Sequence, residues 1–178
     1  MVTVWKPDAS LEKSFLNMLD DYEAHDPENG MYYAAARDDF EGYLRGLQAE
    51  EMGLHLAPGF VPCSHRWLTN AEGAVVGIAR VRHNIETAFL AEEAGHIGYD
   101  VPPSHRRRGY GTASLQAGLA RAQEIGLDKV LLCADAANIA SWRTIERCGG
   151  ILEQERHSKH YDCLARRYWI ELPKFDRG

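Results

Sequence analysis

The N-terminal part of the chain shows one short strand pattern followed by two amphipathic helical patterns. Val2 and Val4 predict a strand that ends at Pro7, and Ser10 is a suitable N-cap for the helix that follows. A second helix is expected to begin near Asp38 or Asp39. The spacing of apolar residues predicts two buried helical stripes: Leu11, Phe15, Met18, Leu19 and Tyr22 in the first helix, and Phe40, Tyr43, Leu44 and Leu47 in the second.

The pattern changes after His65 to alternating strands and helices. The expected elements are strands at 66–69, 75–82 and 95–101, a helix at 112–125, a strand at 129–134, a helix after Asn138, and a strand pair at 151–157 and 165–172. The run 129–134 is apolar throughout, which is typical of a strand buried on both faces and parallel to its neighbour. Segment 88–93 fits no single pattern. The order of elements favours a single α/β domain over residues 1–178.

The loop between the third of these strands and its helix carries the clearest chemical pattern. Arg106, Arg107 and Arg108 precede Gly109 and Gly111, and the helix begins at once. Glycines can turn successive backbone N–H groups toward one point, and the helix N-terminus adds a partial positive charge. The loop therefore predicts a phosphate-binding site. A Rossmann site is disfavoured because position 114 is Ser, and a Walker loop is excluded because no Gly-Lys-Ser/Thr follows.

Composition limits the remaining functional classes. The formal net charge of −6 argues against nucleic-acid binding, and no apolar run is long enough for a membrane span. The four cysteines have no CxxC spacing, so we expect reduced thiols, a cytoplasmic location and no disulfide framework. His157 and His160 lack further ligands nearby, and no metal site is expected.

The segment from Gly95 to Gly150 resembles the GNAT acetyltransferases. Their cofactor motif, Gln/Arg-x-x-Gly-x-Gly/Ala, matches Arg106 to Gly111, and Asn138 stands where that family begins a further short helix. Gly95 to Tyr99 and Arg167 to Trp169 are similar to a poorly characterised bacterial branch of predicted acetyltransferases. The resemblance implies an α/β (α+β) fold with a mixed, mostly antiparallel sheet of six or seven strands and about four helices. A splayed parallel strand pair would form the acetyl-CoA cleft, with its core at 95–150.

The resemblance also implies which residues hold acetyl-CoA. Tyr99 and Val101 would pair their backbone with the pantetheine arm, and Asn138 and Ser141 would flank it from the other side. The phosphate loop contributes the remaining cofactor-binding residues: Arg106, Arg107, Arg108, Gly109, Tyr110, Gly111 and Thr112.

Candidates for the proton transfers are fewer. His96, Glu92 and Glu93 precede the loop on the strand that would face both substrates, and His96 has a pKa range suited to a general base. The family often places an acidic Tyr seven residues after the helix-starting Asn, but that position is Ile145. Tyr161, Tyr168 or Cys148 could replace it as the general acid, or the thiolate could leave unaided. Of these residues, Tyr168 is the predicted catalytic residue.

The acceptor is expected to be a small-molecule primary amine, acetylated directly in a ternary complex. Arg80, Arg82 and His83 share a strand and could bind a carboxylate or phosphate on it, and Trp67 could line its pocket. A protein or peptide N-acetyltransferase and a non-catalytic acyl-CoA sensor are the alternatives. The sequence is also compatible with a homodimer.

Overall fold

The strands of this protein form two antiparallel sheets, and the computed structural model describes residues 1–173. The first sheet has the order β1 (Thr3–Trp5), β2 (Cys63–Thr69), β3 (Val75–Arg82), β4 (Ile97–Asp100). The second has the order β5 (Lys129–Asp135), β7 (Leu164–Glu171), β6 (Ile151–His157). Each ladder between neighbouring strands is antiparallel, including the one between β5 and β7 where a parallel neighbour was expected.

Four long helices and two single turns connect the strands. They are α1 (Glu12–His25), α2 (Pro27–Gly30), α3 (Ala35–Asp38), α4 (Phe40–Glu51), α5 (Tyr110–Glu124) and α6 (Ile139–Arg147). Asp39 caps α4 by accepting from the Gly42 amide, and Asn138 caps α6 by accepting from the Ser141 amide. Both caps satisfy backbone donors that have no partner within their helix. The ambiguous segment forms a π-helical turn, Leu90–Ala94.

The two sheets touch at one point and then separate. The His96 amide donates to the Leu131 carbonyl at 2.8 Å, and an isolated bridge pairs Gly95 with Leu132. Beyond it, β4 and β5 share no ladder in residues 1–173. Helix α5 connects these two strands along the chain, so its N-terminus lies where the gap opens. This gap corresponds to the splayed cleft expected from the sequence.

Each face of the first sheet carries its own apolar core. The first core joins α1 and α4 to one face and includes the fully buried Phe15 and Trp67, whose ring centroids are 4.3 Å apart. The second core joins α5 and α6 to β4, β5 and β7, and contains Leu115, Ile145 and Tyr168. The amphipathic stripes of α1 and α4 therefore pack as predicted. No helix within residues 1–173 combines the length and apolarity that a membrane crossing requires.

Candidate functional site

The loop from Arg106 to Thr112 presents a row of free backbone donors. Gly109 has φ +84° and is the N-cap residue of α5, and Arg107 also has a left-handed φ of +63°. The first hydrogen bond of the helix runs from Ala113 to the Gly109 carbonyl, and the amides of residues 107–112 have no acceptor among the described residues. A Cβ added at Gly109 would meet no heavy atom within 4 Å. The geometry fits an anion placed against the helix N-terminus.

The three arginines of the loop have different roles in the structure. Arg106 binds the Asp26 carboxylate, and its Nε donates to the Val101 carbonyl at 3.0 Å. Its charge is thus already paired within the protein, which differs from the phosphate contact expected of it. Arg107 and Arg108 are exposed and have no carboxylate within 4.0 Å in residues 1–173. Arg106 fixes the loop, and the other two leave their positive charge available to a ligand.

The edge of β4 that faces the gap carries unpaired backbone groups. The Arg82 amide donates to the His96 carbonyl, and Gly98 and Asp100 follow on the same side of β4 as partners of β3. Because backbone groups alternate along an antiparallel strand, those of Tyr99 point away from β3 into the gap. The Val101 carbonyl, by contrast, is taken by Arg106. Tyr99 therefore offers the backbone edge that an extended ligand would need.

The Tyr99 side chain bridges the gap to α6. Its hydroxyl lies 3.0 Å from the Ser141 carbonyl and 3.1 Å from the Ser141 Oγ. Burial raises the pKa of this phenol, so it is protonated at neutral pH. Gly111 lies beside the ring, with 3.8 Å between its added Cβ and the Tyr99 ring. Tyr99 and Ser141 are thus brought together, while the Asn138 side chain is occupied in capping α6.

His96 lies at the closed end of the gap and is only 6 % exposed. Its Nδ1 accepts a hydrogen bond of 2.9 Å from the Leu131 amide, so the proton of the neutral ring is on Nε2. Burial and the charge of Arg82 lower the pKa of His96 to about 4. In this form the ring has no free lone pair with which to accept a proton. The geometry does not favour the base role expected of His96.

Glu92 and Glu93 hold the loop between β6 and β7. Glu93 accepts from the Lys159 amide at 3.0 Å and lies 3.6 Å from Arg156, and Glu92 lies 2.6 Å from the Lys159 Nζ. Burial raises the pKa of Glu93, but the hydrogen bonds from the Lys159 amide and Ser158 together with the Arg156 charge outweigh it, and the net shift is downward. A carboxylate so held is a weak base, which is the opposite of what acetyl transfer would require of it.

Tyr168 lies in the second core and not in the gap. Its side chain is fully buried, and its hydroxyl donates to Glu146 at 3.0 Å and accepts from Arg166 at 3.1 Å. Ile145 is buried in the same core. The structure thus removes Tyr168 from reach of a ligand in the gap, because β7 turns this residue toward α5 and α6.

The expected acceptor residues are divided among three environments. Trp67 is fully buried in the first core and leaves no surface for a substrate, because helices cover β2 there. His83 faces the α5 side, where its Nε2 lies 2.8 Å from the Ser64 Oγ. Arg80 is paired with Asp100 at 2.6 Å and donates to the Tyr33 hydroxyl at 2.7 Å. The structure therefore does not bring Trp67, Arg80 and His83 together in one pocket.

A polar cluster that the sequence analysis missed lies on β2 beneath α4. Atoms of Glu50, Cys63 and His65 that could bind a metal lie within 4.8 Å of one another. The His65 Nε2 already has a hydrogen-bond partner, the Glu50 carboxylate at 2.8 Å. The period of two along β2 places Cys63 and His65 on one face, but nothing in the sequence indicates that α4 brings Glu50 to them.

Comparison with known proteins agrees with this geometry. The model of the acetyltransferase (GNAT) family matches residues 5–150 of the chain. A search of curated proteins found no match.

Solved structures match along nearly the whole chain at low identity. RimL, the ribosomal L7/L12 alpha-N-protein acetyltransferase in complex with coenzyme A, is 16 % identical, with TM-score 0.70 and coverage of 96 % of this chain and 94 % of that one. YncA, a putative acetyltransferase from Salmonella typhimurium with acetyl-CoA, is 15 % identical, with TM-score 0.63 and coverage of 98 % and 96 %. A chimera of the spermidine N-acetyltransferase SpeG from Vibrio cholerae and hSSAT is 13 % identical, with TM-score 0.63 and coverage of 96 % and 95 %.

The match of the family model covers most of the chain, and the solved structures confirm the α/β fold. The motif, the fold and the free amides of the loop all agree with that assignment. This protein belongs to the GNAT family of acetyltransferases, whose acetyl donor is acetyl-CoA.

Proposed function

We propose that this protein transfers an acetyl group from acetyl-CoA directly to the primary amine of a small molecule, within a ternary complex. The row of unpartnered amides at residues 107–112 carries the proposal, since it matches the diphosphate of coenzyme A. Tyr110 and Thr112 lie in the first turn of α5, where their amides point to the same site. Acetyl-CoA supplies the activated thioester.

The chain's own residues would orient the donor. Arg107 and Arg108 bind its phosphates, and the Tyr99 backbone aligns the pantetheine arm along the open edge of β4. Val101, Asn138 and Ser141 act by shaping this passage: Val101 through Arg106, and Asn138 by fixing the helix start at which Ser141 meets Tyr99.

The proton transfers follow from the groups that remain available. Tyr99 carries a protonated phenol at the gap, and we assign to it the return of a proton to the departing thiolate in place of the absent Tyr at position 145; its hydroxyl, which donates to the Ser141 carbonyl, would exchange that acceptor for the thiolate. The amine proton leaves to solvent water, because His96, Glu92 and Glu93 are held as hydrogen-bond or ion-pair partners. In the neutral ring of His96, the Nε2–H group can donate a hydrogen bond but cannot accept a proton.

Replacement of Gly109 by Trp tests the cofactor site. The indole would enter the open space before the free amides, and we expect the Kd for coenzyme A to rise at least about 100-fold by calorimetry, a loss of roughly 3 kcal/mol. Gly73→Trp is the matched control, because Gly73 also has a left-handed φ, +78°, with nothing within 4 Å of an added Cβ. Equal affinity in Gly109→Trp and Gly73→Trp would refute the site.

An assay of released thiol with acetyl-CoA and a panel of amines then tests the reaction. Transfer to small amines supports the proposal, transfer only to peptide N-termini or lysines would replace it by the peptide alternative, and binding without any transfer would favour a sensor. SpeG and RimL are a spermidine and a protein N-acetyltransferase, so the panel includes both polyamines and N-terminal peptides.

A further inference from the structure

Arg82 lies on the face of the first sheet that is turned away from α5. It is opposite Cys63 in the register of β2 and β3, while its neighbour Val81 belongs to the core on the α5 side. Its charge is near enough to His96 and Tyr161 to affect the pKa of both. Arg82 is thus placed beside the closed end of the gap, with the loop between β6 and β7 near it.

Arg82 differs from the other arginines of the sheets in having no acidic partner. Arg66, Arg80, Arg156, Arg166 and Arg167 each lie within 4.0 Å of a carboxylate. Within residues 1–173, no carboxylate oxygen comes within 4.0 Å of Arg82, although the residue is partly buried. Burial lowers the pKa of Arg82, but an arginine side chain stays positively charged at neutral pH. A cation in that position lacks the counter-charge that partly buried charges usually have.

One edge of this guanidinium is free. Nη1 donates to the Gly95 carbonyl at 3.1 Å, and Nε and Nη2 make no hydrogen bond to the described residues. Both of these atoms are accessible to solvent. Nε and Nη2 form the side edge of the guanidinium, which presents two parallel N–H groups and matches the two oxygens of a carboxylate.

The surroundings favour a carboxylate over a phosphate. Arg80, the nearest cation on the same face, is neutralised by Asp100. Lys159, in the loop between β6 and β7, is paired with Glu92. A single guanidinium balances a monoanionic carboxylate, whereas a phosphate dianion would leave one negative charge without a partner.

We infer that Arg82 binds the carboxylate of the acceptor, so that the amine substrate is an amino acid or a closely related amino carboxylate. The inference rests on the proposed function and names its substrate class. Since Arg82 is anchored to Gly95 at the junction of the sheets, it would hold the acceptor at a fixed distance from the gap in which the thioester is bound. The N-terminal residue of a peptide cannot bind in this way, because its α-carboxyl group is part of the peptide bond and carries no charge.

The test compares matched acceptors. Alanine, phenylalanine, glutamate and lysine are each assayed against their carboxamides with acetyl-CoA, by release of free thiol. We expect kcat/KM to favour the free carboxylate by about 10- to 100-fold, as hydrogen bonds to a charged group typically contribute. This is a stringent comparison, since a carboxamide makes the neighbouring amine less basic and so leaves more of it in the reactive form.

Substitution of Arg82 gives the specific readout. Arg82→Gln should bring the ratio of kcat/KM for the carboxylate to kcat/KM for the carboxamide close to one while the Kd for coenzyme A stays within about threefold, and Arg82→Lys should keep part of the preference. Arg45→Gln is the control, because Arg45 is an exposed arginine on α4 that is 3.6–3.7 Å from its acidic partners. If Arg82→Gln does not fold, product inhibition of the unaltered protein by N-acetylalanine against N-acetylalaninamide measures the same preference.

The outcomes separate the two proposals. Acetylation of amines with no preference for a carboxylate, or a preference that Arg82→Gln leaves intact, overturns the inference and leaves the proposed function standing. Transfer to no amine at all, or no binding of coenzyme A, overturns the proposed function, and the inference falls with it.

Discussion

Gly95 determines how the two sheets are joined, and its replacement by Ala should destabilise the protein strongly. Gly95 has φ +67° and ψ −166°, a region that is essentially restricted to glycine. An added Cβ would lie 2.3 Å from the Leu131 carbonyl oxygen and 2.8 Å from its carbon. These are backbone atoms, so the contact cannot be relieved by rotation of a side chain. The Leu131 peptide would have to move away from β4.

The magnitude follows from three effects. Backbone strain costs about 1–3 kcal/mol. Displacement of Leu131 also weakens the hydrogen bonds that join it to the His96 amide and to the His96 Nδ1, each about 1 kcal/mol. We expect a total loss of about 3–5 kcal/mol, which for a chain of this length lowers Tm by roughly 6–20 °C.

Differential scanning calorimetry of Gly95→Ala beside Gly73→Ala measures the effect. Gly73 has φ +78° and open space around its Cβ position, so its replacement reports conformational strain without a clash. We expect the Tm of Gly73→Ala to fall by less than half as much. A Gly95→Ala protein whose Tm equals that of the Gly73→Ala control would show that the sheet junction does not depend on close approach at this glycine.

Three further substitutions test the assigned roles of side chains. Tyr99→Phe should lower kcat by about 10-fold or more at an unchanged Kd for coenzyme A, as expected for loss of a general acid, and a kcat within twofold would exclude that role. Tyr168→Phe should cost about 1 kcal/mol in urea unfolding through loss of its bonds to Glu146 and Arg166 and leave kcat within about threefold; a large drop in kcat would return Tyr168 to the catalytic residues. Because burial lowers the pKa of His96 from 6.5 to about 4, the unfolded state binds the extra proton and the free energy of unfolding should rise between pH 4 and 6.5, by on the order of 3 kcal/mol from this residue. His96→Asn, whose amide oxygen can still accept from Leu131, should lose that part of the pH dependence, and an unchanged slope would contradict the buried neutral ring.

The backbone conformation of the loop at 106–112 could be predicted from sequence because its determinants are local. Gly109, Gly111 and the helix that follows fix the backbone within one turn: Gly109 has the left-handed conformation, and the helix begins at Tyr110, two residues before the predicted start at Thr112. The apolar stripes of α1 and α4 are equally local, and so is the Asn138 cap. Each of these features depends on residues that are close neighbours in the chain.

Side-chain pairing across the fold could not be predicted in this way. Arg80 is neutralised by Asp100 and contacts Tyr33, and Arg106 binds Asp26 about 80 residues earlier in the chain. Strand alternation alone separates His83 from Arg80 and Arg82, but the sequence does not say which face meets a helix. An aromatic side chain such as Trp67 could line a pocket, but in the structure it lies in the core because helices cover its strand.

The distribution of unpaired donors connects the two proposals. The described chain pairs nearly all its strand arginines and turns its two candidate carboxylates, Glu92 and Glu93, toward cations. Free N–H groups remain at residues 107–112 at one end of the gap and on Arg82 at the other. In a protein of net charge −6, anionic ligands would meet general repulsion, so these two local donor sites must provide the attraction. A donor anchored by its diphosphate and an acceptor anchored by a carboxylate would then place thioester and amine between them.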